Sequence, residues 1–206
     1  MREDTVEDFL ERLAARVPAP GGGAVAALHA AQGAALLAMV ARYSDSAKYE
    51  AHADVIAAVL TDAEELRGRC LEYARDDATA FTAVADAYKL PKDTEAAKTA
   101  RTLAIAAALA GPARPPAAVI GAASRLVELA EDLLPTGNPN VITDVAAAAE
   151  AARAAAATAR VNIEVNLAGI SDTEIVAEFT AIADLVDAIA VRAEQVTTAV
   201  RQEIRR

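Results

Sequence analysis

The sequence predicts an all-α protein, with residues 1–206 forming a single domain of long up-and-down antiparallel helices. Hydrophobic residues fill 54% of the 206 positions and aromatic residues only 3%, so alanine, the strongest helix former, supplies much of the apolar content. Apolar residues recur at three- and four-residue steps, as they do on one face of a helix. No run of useful length alternates with the period of two that marks a strand.

Proline and glycine separate the first three predicted helices. A short amphipathic helix begins near Val6 and ends at "PAPGGG", residues 18–23, where three glycines are free to adopt positive φ angles. A helix without formal charge follows over residues 24–41. A longer one is predicted from about residue 50 to about residue 89, and Pro91 closes it.

Caps and prolines also mark the later helices. Asp93 or Thr94 is a suitable N-cap for a helix that ends near Leu109. Prolines 112, 115 and 116 then predict a kink or a break. The remaining helices are predicted over residues 117–134, ending at Pro135, over residues 141–167, and from the cap Ser171 onward.

The net charge and the cysteine content limit which binding partners and which cellular compartment we expect. The net charge of −10 repels polyphosphates, so nucleic acid is not an expected partner. The single cysteine, Cys70, excludes an internal disulfide and a cysteine-based metal cage, and it fits the cytoplasm. The acidic first seventeen residues do not resemble a secretory signal. Residues 24–41 are uncharged but rich in alanine, which favours a buried bundle helix over a membrane span.

Two of the predicted helices are almost free of charge on every side. Such helices belong inside a protein, yet one bundle of this size has room for few of them. Pairing with a second copy would bury the rest, so we expect a homodimer.

The first stretch with a possible binding function is the glycine run, which consists of Gly21, Gly22 and Gly23. Glycines before a helix allow backbone N–H groups to converge on an anion or a carbonyl at the positive end of the helix dipole. Neither a phosphate-binding P-loop nor a dinucleotide fingerprint is present, because the required lysine and preceding strand are missing. A tight turn between helices is the simpler interpretation.

The segment "DATAF", residues 77–81, carries the candidate proton-transfer group. Asp77 and Phe81 lie four residues apart and share a helix face, so partial burial of the Asp77 carboxylate beside apolar neighbours is expected. Burial raises the pKa of a carboxyl group towards the range that proton transfer requires. A solvated aspartate is the alternative.

Basic side chains are concentrated in one part of this acidic chain. All four lysines fall between residues 48 and 98, and Arg101 follows closely. This local cluster predicts a binding site for the anionic tail of a ligand, and a solvated helix face is the alternative. The candidate tail-binding residues are Lys48, Lys89, Lys92 and Arg101.

Amides and a second carboxylate mark the corner "GNPNVITD", residues 137–144. Gly137 and Asn138 tolerate left-handed backbone, and Asn140 is a suitable cap for the next helix, with Asp144 one turn beyond it. Asn162 and Asn166 form another pair spaced by four residues. A buried unpaired amide costs about 1–3 kcal/mol, so amides repeated on one apolar helix predict a shared polar pocket.

These motifs together resemble those of the cyclodeaminase/cyclohydrolase family, which includes bacterial methenyltetrahydrofolate cyclohydrolases and the C-terminal domain of formiminotransferase-cyclodeaminase. The matching stretches are "PAPGGGAVAAL", "KY", "DATAF", "LPK", "GNPNVITD" and "VNIEVNL", in the family's order over nearly the whole chain. The resemblance implies an all-α dimer with a folate site near the subunit interface. Departures are Ala24, where the family usually has serine, and Arg114, where an apolar residue is expected.

The resemblance implies a folate enzyme of one-carbon metabolism with Asp77 as the catalytic aspartate and Asp144 as its partner or as a ligand of the pterin. The expected reaction hydrolyses 5,10-methenyltetrahydrofolate to 10-formyltetrahydrofolate, with a tetrahydrofolate derivative as substrate and no metal. The alternatives are an ammonia-releasing formiminotetrahydrofolate cyclodeaminase and, because of Ala24 and Arg114, a catalytically silent dimer that binds folate or a protein.

Overall fold

A computed structural model describes residues 4–109, 113–168, 170 and 172–206. These residues contain helices and no strand, which confirms the all-α prediction. The α-helices are α1 (Val6–Ala14), α2 (Gly22–Arg42), α3 (Ala53–Lys89), α4 (Glu95–Leu109), α5 (Arg114–Thr136), α6 (Ile142–Leu167) and α7 (Thr173–Ile204), with short 3-10 helices at Ala47–His52 and Pro139–Val141.

Side-chain caps begin several of these helices. The Thr5 hydroxyl accepts a hydrogen bond from the Asp8 N–H, and the Asp8 carboxylate accepts one from the Thr5 N–H, forming a capping box for α1. The Thr94 hydroxyl accepts a hydrogen bond from the Ala97 N–H, which selects Thr94 over Asp93 as the cap of α4. Asp172 caps α7. The predicted cap, Ser171, lies outside the described residues.

The structure corrects three predicted boundaries. α3 begins at Ala53 instead of near residue 50, because a 3-10 helix occupies Ala47–His52. Pro115 and Pro116 lie in the first turn of α5, where a missing N–H removes no helical hydrogen bond, so they start this helix. The predicted end of α5 at Pro135 is one residue early, since the helix includes Pro135 and continues to Thr136.

The core lies around α2 and α5. α2 packs against α3, α5 and α6, while α5 also packs against α3, α6 and α7. Alanines that are almost wholly buried dominate the core, as predicted from the composition. A Cβ added to Gly33 of α2 would lie 3.1 Å from the Ala148 carbonyl oxygen of α6. The small side chains therefore let helix backbones approach closely, and α2 with its neighbours forms a compact scaffold.

The helix directions determine which ends meet. The Arg42–Glu64 ion pair and the contact between Gly23 and Asp77 show that α3 runs antiparallel to α2. The N-terminal end of α2 also meets the C-terminal part of α6, since Gly22 faces Asn162. The whole of α2 is long and apolar enough to cross a membrane, but 61% of its most apolar 18-residue window is buried inside the bundle.

Candidate active site

Asp77 lies directly against the glycine run at the start of α2. A Cβ built on Gly23 would stand 2.6 Å from Asp77 Oδ2 and closer still to Cγ and Oδ1. Only a residue without a side chain leaves room for this carboxylate. None of the described glycines has a positive φ angle, so the predicted role of the run in left-handed backbone is wrong. Close approach of another helix is the reason for glycine at position 23.

The first turn of α2 also binds the carboxylate. Asp77 accepts a hydrogen bond from the backbone N–H of Ala24, which is the third residue of the helix and is fully buried. Burial raises the pKa of the Asp77 carboxyl above its usual value, and the hydrogen bond from Ala24 opposes part of that rise. Asp77 is therefore partly buried and still bonded through one backbone N–H, which suits a group that both takes and returns a proton.

The burial of Asp77 does not come from Phe81, contrary to the expectation. The Phe81 side chain is 53% exposed, although it lies one helical turn from Asp77. The turn containing Gly23 and Ala24 covers the carboxylate instead.

Asn162 of α6 closes a second side of this region. Its Nδ2 would lie 3.5 Å from a Cβ on Gly22, and that nitrogen donates a hydrogen bond of 2.8 Å to the Thr158 carbonyl. Asn166 follows one turn later and is also half-buried. The structure thus brings together Gly22, Gly23, Asp77 and Asn162, which are called here the glycine-bend site.

The Asn-Pro-Asn corner lies at the opposite end of α2. Asn138 Nδ2 donates to the Tyr43 carbonyl at 2.8 Å, and the Asn138 N–H donates to the Ser44 hydroxyl at 2.8 Å. Ser44 is 2% exposed and donates in turn to the Val40 carbonyl. Asn138 therefore attaches the corner to the C-terminal end of α2. Because α2 has 21 residues, this end lies ~30 Å from the glycine-bend site in the same chain.

Within the corner, Asn138 and Asn140 have different surroundings. The Asn138 side chain accepts a hydrogen bond from the Asn140 N–H and so caps the 3-10 helix Pro139–Val141. The prediction that Asn140 caps α6 is wrong, because Val141 occupies the N-cap position of α6 and makes no side-chain cap. The side-chain amide of Asn140 is exposed and makes no hydrogen bond to a described residue. Asp144 lies in the first turn of α6 and is half-buried. In one chain, neither Asn140 nor Asp144 lies beside Asp77. The region of Tyr43, Lys48 and Asn140 is called here the corner site.

The basic residues do not form one cluster within the chain. Lys48 precedes α3, whereas Lys89 ends it, which separates them by ~50 Å. Lys89 pairs with Asp86 at 2.8 Å. Arg101 donates to the Tyr88 carbonyl and stacks on the Tyr88 ring. Lys92 is exposed after the end of α3. Lys89, Lys92 and Arg101 remain a group near the turn between α3 and α4.

Two residues that contribute to these sites could not be identified from the sequence. The Ala24 N–H bonds Asp77 through the backbone, and an alanine side chain does not indicate this role. Ser44 appeared only as part of the segment that ends α2, yet it connects the corner to that helix. The described residues contain no group of three or more His, Cys, Asp or Glu side chains that could hold a metal ion.

Comparisons with known proteins indicate the family of this chain. The family model described as formiminotransferase-cyclodeaminase matches residues 5–184. A methenyltetrahydrofolate cyclohydrolase from Methylorubrum extorquens is 39% identical over 171 residues, which are 82% of both chains. Formimidoyltransferase-cyclodeaminase from Rattus norvegicus is 31% identical over 80% of this chain, and the match spans 30% of that longer protein.

A solved structure has the same architecture. The crystal structure of formiminotetrahydrofolate cyclodeaminase from Thermotoga maritima matches with a TM-score of 0.83 and 28% identity, over 98% of this chain and 96% of that one. The family model covers most of the sequence, and the fold agrees along nearly its whole length. The chain therefore belongs to the formiminotransferase-cyclodeaminase family.

Proposed function

We propose that the chain is a methenyltetrahydrofolate cyclohydrolase that converts 5,10-methenyltetrahydrofolate into 10-formyltetrahydrofolate. The position of Asp77 carries this proposal: a partly buried carboxylate of raised pKa held against the first turn of α2. The 39% identity to a protein named for this activity supports it.

The substrate carbon explains why one carboxylate suffices. The methenyl carbon bridges two nitrogens in a cationic amidinium, so it is already electrophilic and attracts a nearby anion. Asp77 takes one proton from water while the water oxygen bonds to this carbon, which gives a neutral tetrahedral adduct. The proposed chemistry therefore requires no metal.

Collapse of the adduct completes the reaction. The bond between this carbon and N5 breaks, and the protonated Asp77 returns its proton to the departing N5. The adduct hydroxyl loses its proton to solvent as the formyl C=O forms on N10. One water enters and one proton leaves. General acid–base catalysis of this kind contributes about 10²- to 10⁴-fold in rate.

The surrounding residues fit recognition of the rest of the substrate. Asn162, beside the glycine bend, and Asn166, one helical turn farther along α6, are the proposed ligands of the polar pterin edge. Lys89 ends α3 about 18 Å beyond Asp77, within reach of the glutamate tail of an extended folate. Lys92 and Arg101 lie next to it. We also propose that the protein works in the cytoplasm as a homodimer.

The second candidate function is formiminotetrahydrofolate cyclodeaminase. The structural similarity to the Thermotoga maritima enzyme favours it, because the same carboxylate could move a proton while ammonia leaves. Both candidates use the glycine-bend site, so only the substrate distinguishes them.

A paired assay decides between the candidates. The near-ultraviolet absorbance of methenyltetrahydrofolate reports its hydrolysis, and ammonia release reports turnover of formiminotetrahydrofolate. We expect acceleration of the first reaction above the buffer rate at neutral pH. Ammonia release without that acceleration would favour the cyclodeaminase, and no turnover of either substrate would leave a binding protein.

A further inference from the structure

A groove runs between helices α5 and α7, which lie side by side and point in the same direction. Arg192 of α7 pairs with Glu131 of α5 at 2.6 Å and lies 3.8 Å from Glu128. At the other end of the groove, Ile175 at the start of α7 and Arg114 at the start of α5 line one cavity. Ion pairs therefore close the groove along its later part, and its beginning is open.

The open beginning of the groove is a cavity of about 460 Å³ with an apolar floor. On α5 the floor consists of Ala117 and Ala118, whose small side chains do not fill the space towards α7. On α7 it consists of Ile175, Phe179 and Ile182, which recur at three- and four-residue steps and share one helix face. The volume lies within the range of about 300–1,000 Å³ that is typical of small-molecule sites.

Two opposite charges flank this floor. Arg114 in the first turn of α5 and Glu178 of α7 both line the cavity and are exposed, and neither side chain has a partner among the described residues. The two residues are 64 positions apart, as are Glu128 and Arg192 about four helical turns later. Arg114 and Glu178 therefore lie at the same level of the groove, on its two sides, without forming the ion pair that the later residues form.

The charges and the floor together define the chemistry of a matching ligand. A guanidinium binds a carboxylate through parallel hydrogen bonds, and a carboxylate accepts hydrogen bonds from an ammonium group. A free α-amino acid carries both groups on one carbon atom and directs its side chain away from them. A ligand with two carboxylates would be repelled by Glu178, and a simple cation would be repelled by Arg114. The apolar floor favours an apolar side chain.

We propose that the groove between the starts of α5 and α7 binds a free α-amino acid with an apolar side chain. Arg114 holds the carboxylate of this ligand, Glu178 holds its ammonium group, and the floor between them covers its side chain. No residue of the glycine-bend site lines this cavity, so it is a second binding site. Its binding chemistry does not depend on the proposed function.

Titration calorimetry with L-leucine and three analogues tests the match. N-acetylleucine lacks the ammonium group, leucinamide lacks the carboxylate, and glycine lacks the apolar side chain. We expect L-leucine to bind the wild-type chain with a Kd of about 1 mM or lower. Each analogue should bind at least ~10-fold more weakly, because it loses a charge-assisted hydrogen bond or the burial of its side chain.

Single substitutions assign each charge to its ligand group. Glu178→Gln should bind N-acetylleucine as well as it binds leucine, because the carboxylate that selected the ammonium group is gone. Arg114→Gln should bind leucinamide as well as it binds leucine. Both variants should bind leucine at least ~10-fold more weakly than the wild type does. A merely structural role of these residues would not exchange the preference for one ligand group.

A third variant tests the floor without changing any charge. Ala118→Leu places a larger side chain in the cavity and should abolish leucine binding while the helical circular dichroism is unchanged. Arg201→Gln and Glu194→Gln are the matched controls, because both are exposed residues of α7 outside the cavity. The controls should bind leucine as the wild type does. Leucine should raise the melting temperature of the wild type and the controls, but not that of Ala118→Leu.

The outcomes also separate this proposal from the proposed function. Absence of leucine binding by the wild-type chain at about 10 mM would overturn the amino acid site. Equal affinity for leucine and any one analogue would overturn it as well, and so would wild-type leucine binding by both charge variants. No folate enters these measurements. A chain that turned over neither folate but bound leucine as described would refute the proposed function and leave the amino acid site in place.

Discussion

Replacement of Gly23 by alanine tests the central contact of the glycine-bend site. The new Cβ would stand 2.6 Å from Asp77 Oδ2 and closer to the other two carboxyl atoms, whereas ordinary contact begins at 3.4 Å. The glycine cannot retreat, because it belongs to the first turn of α2 and its neighbour Ala24 is fully buried. The Asp77 carboxylate must therefore move by about 1 Å or rotate away.

Two losses follow from this displacement. Asp77 gives up the hydrogen bond from the Ala24 N–H, and such a bond to a charged group contributes about 1.5–3 kcal/mol. A catalytic group displaced by about 1 Å costs about 10²-fold in rate. We expect kcat for methenyltetrahydrofolate hydrolysis to fall by at least ~10²-fold, because the proton-transfer group is misplaced.

The assay follows the loss of near-ultraviolet absorbance of methenyltetrahydrofolate at saturating substrate, so that kcat is measured apart from KM. Gly121→Ala is the matched control, since this exposed glycine of α5 has open space around its Cβ position. It should retain wild-type turnover and gain about 0.5–1 kcal/mol of stability. A folded Gly23→Ala variant with kcat within about threefold of wild type would refute the claim that glycine at this position holds Asp77 in place.

Three further predictions concern other parts of the structure. Asp77→Asn should abolish turnover without lowering the melting temperature. Burial raises the pKa of Asp77 in the folded state, so the ionised carboxylate lowers the stability of the wild-type protein at neutral pH, and the variant should be at least as stable there. This difference in stability should disappear as the pH falls below 3.8, the pKa of the carboxyl in the unfolded chain. A lower melting temperature at neutral pH would contradict this sign. Ser44→Ala should lower the free energy of unfolding in urea by about 1–3 kcal/mol, because the Asn138 N–H loses its acceptor, whereas the exposed Asn140→Ala should have little effect; equal losses would show that the corner is attached differently. Cys70 should not react with a thiol reagent at pH 8 until the protein unfolds, because burial raises its pKa to about 12, and fast labelling of the native protein would contradict its burial.

Local sequence rules were sufficient for the helical architecture. Alanine content and the three- and four-residue recurrence of apolar positions predicted the helices, because helix propensity and amphipathicity depend on neighbours along the chain. The same reasoning predicted an alanine-lined core and identified Asp77 as the candidate carboxylate. The motif order was sufficient to indicate the family, which the comparisons confirmed.

Contacts between distant residues were decided only by the tertiary structure. Helix crossings and register placed Gly23 against Asp77, left Phe81 exposed, and moved the corner ~30 Å away from them along α2. They also separated Lys48 from Lys89, although both had been assigned to one basic cluster. The physical reason is that the pattern of apolar side chains along one helix indicates which of its faces is buried. The position of one helix along another depends instead on how the faces of all the helices pack together.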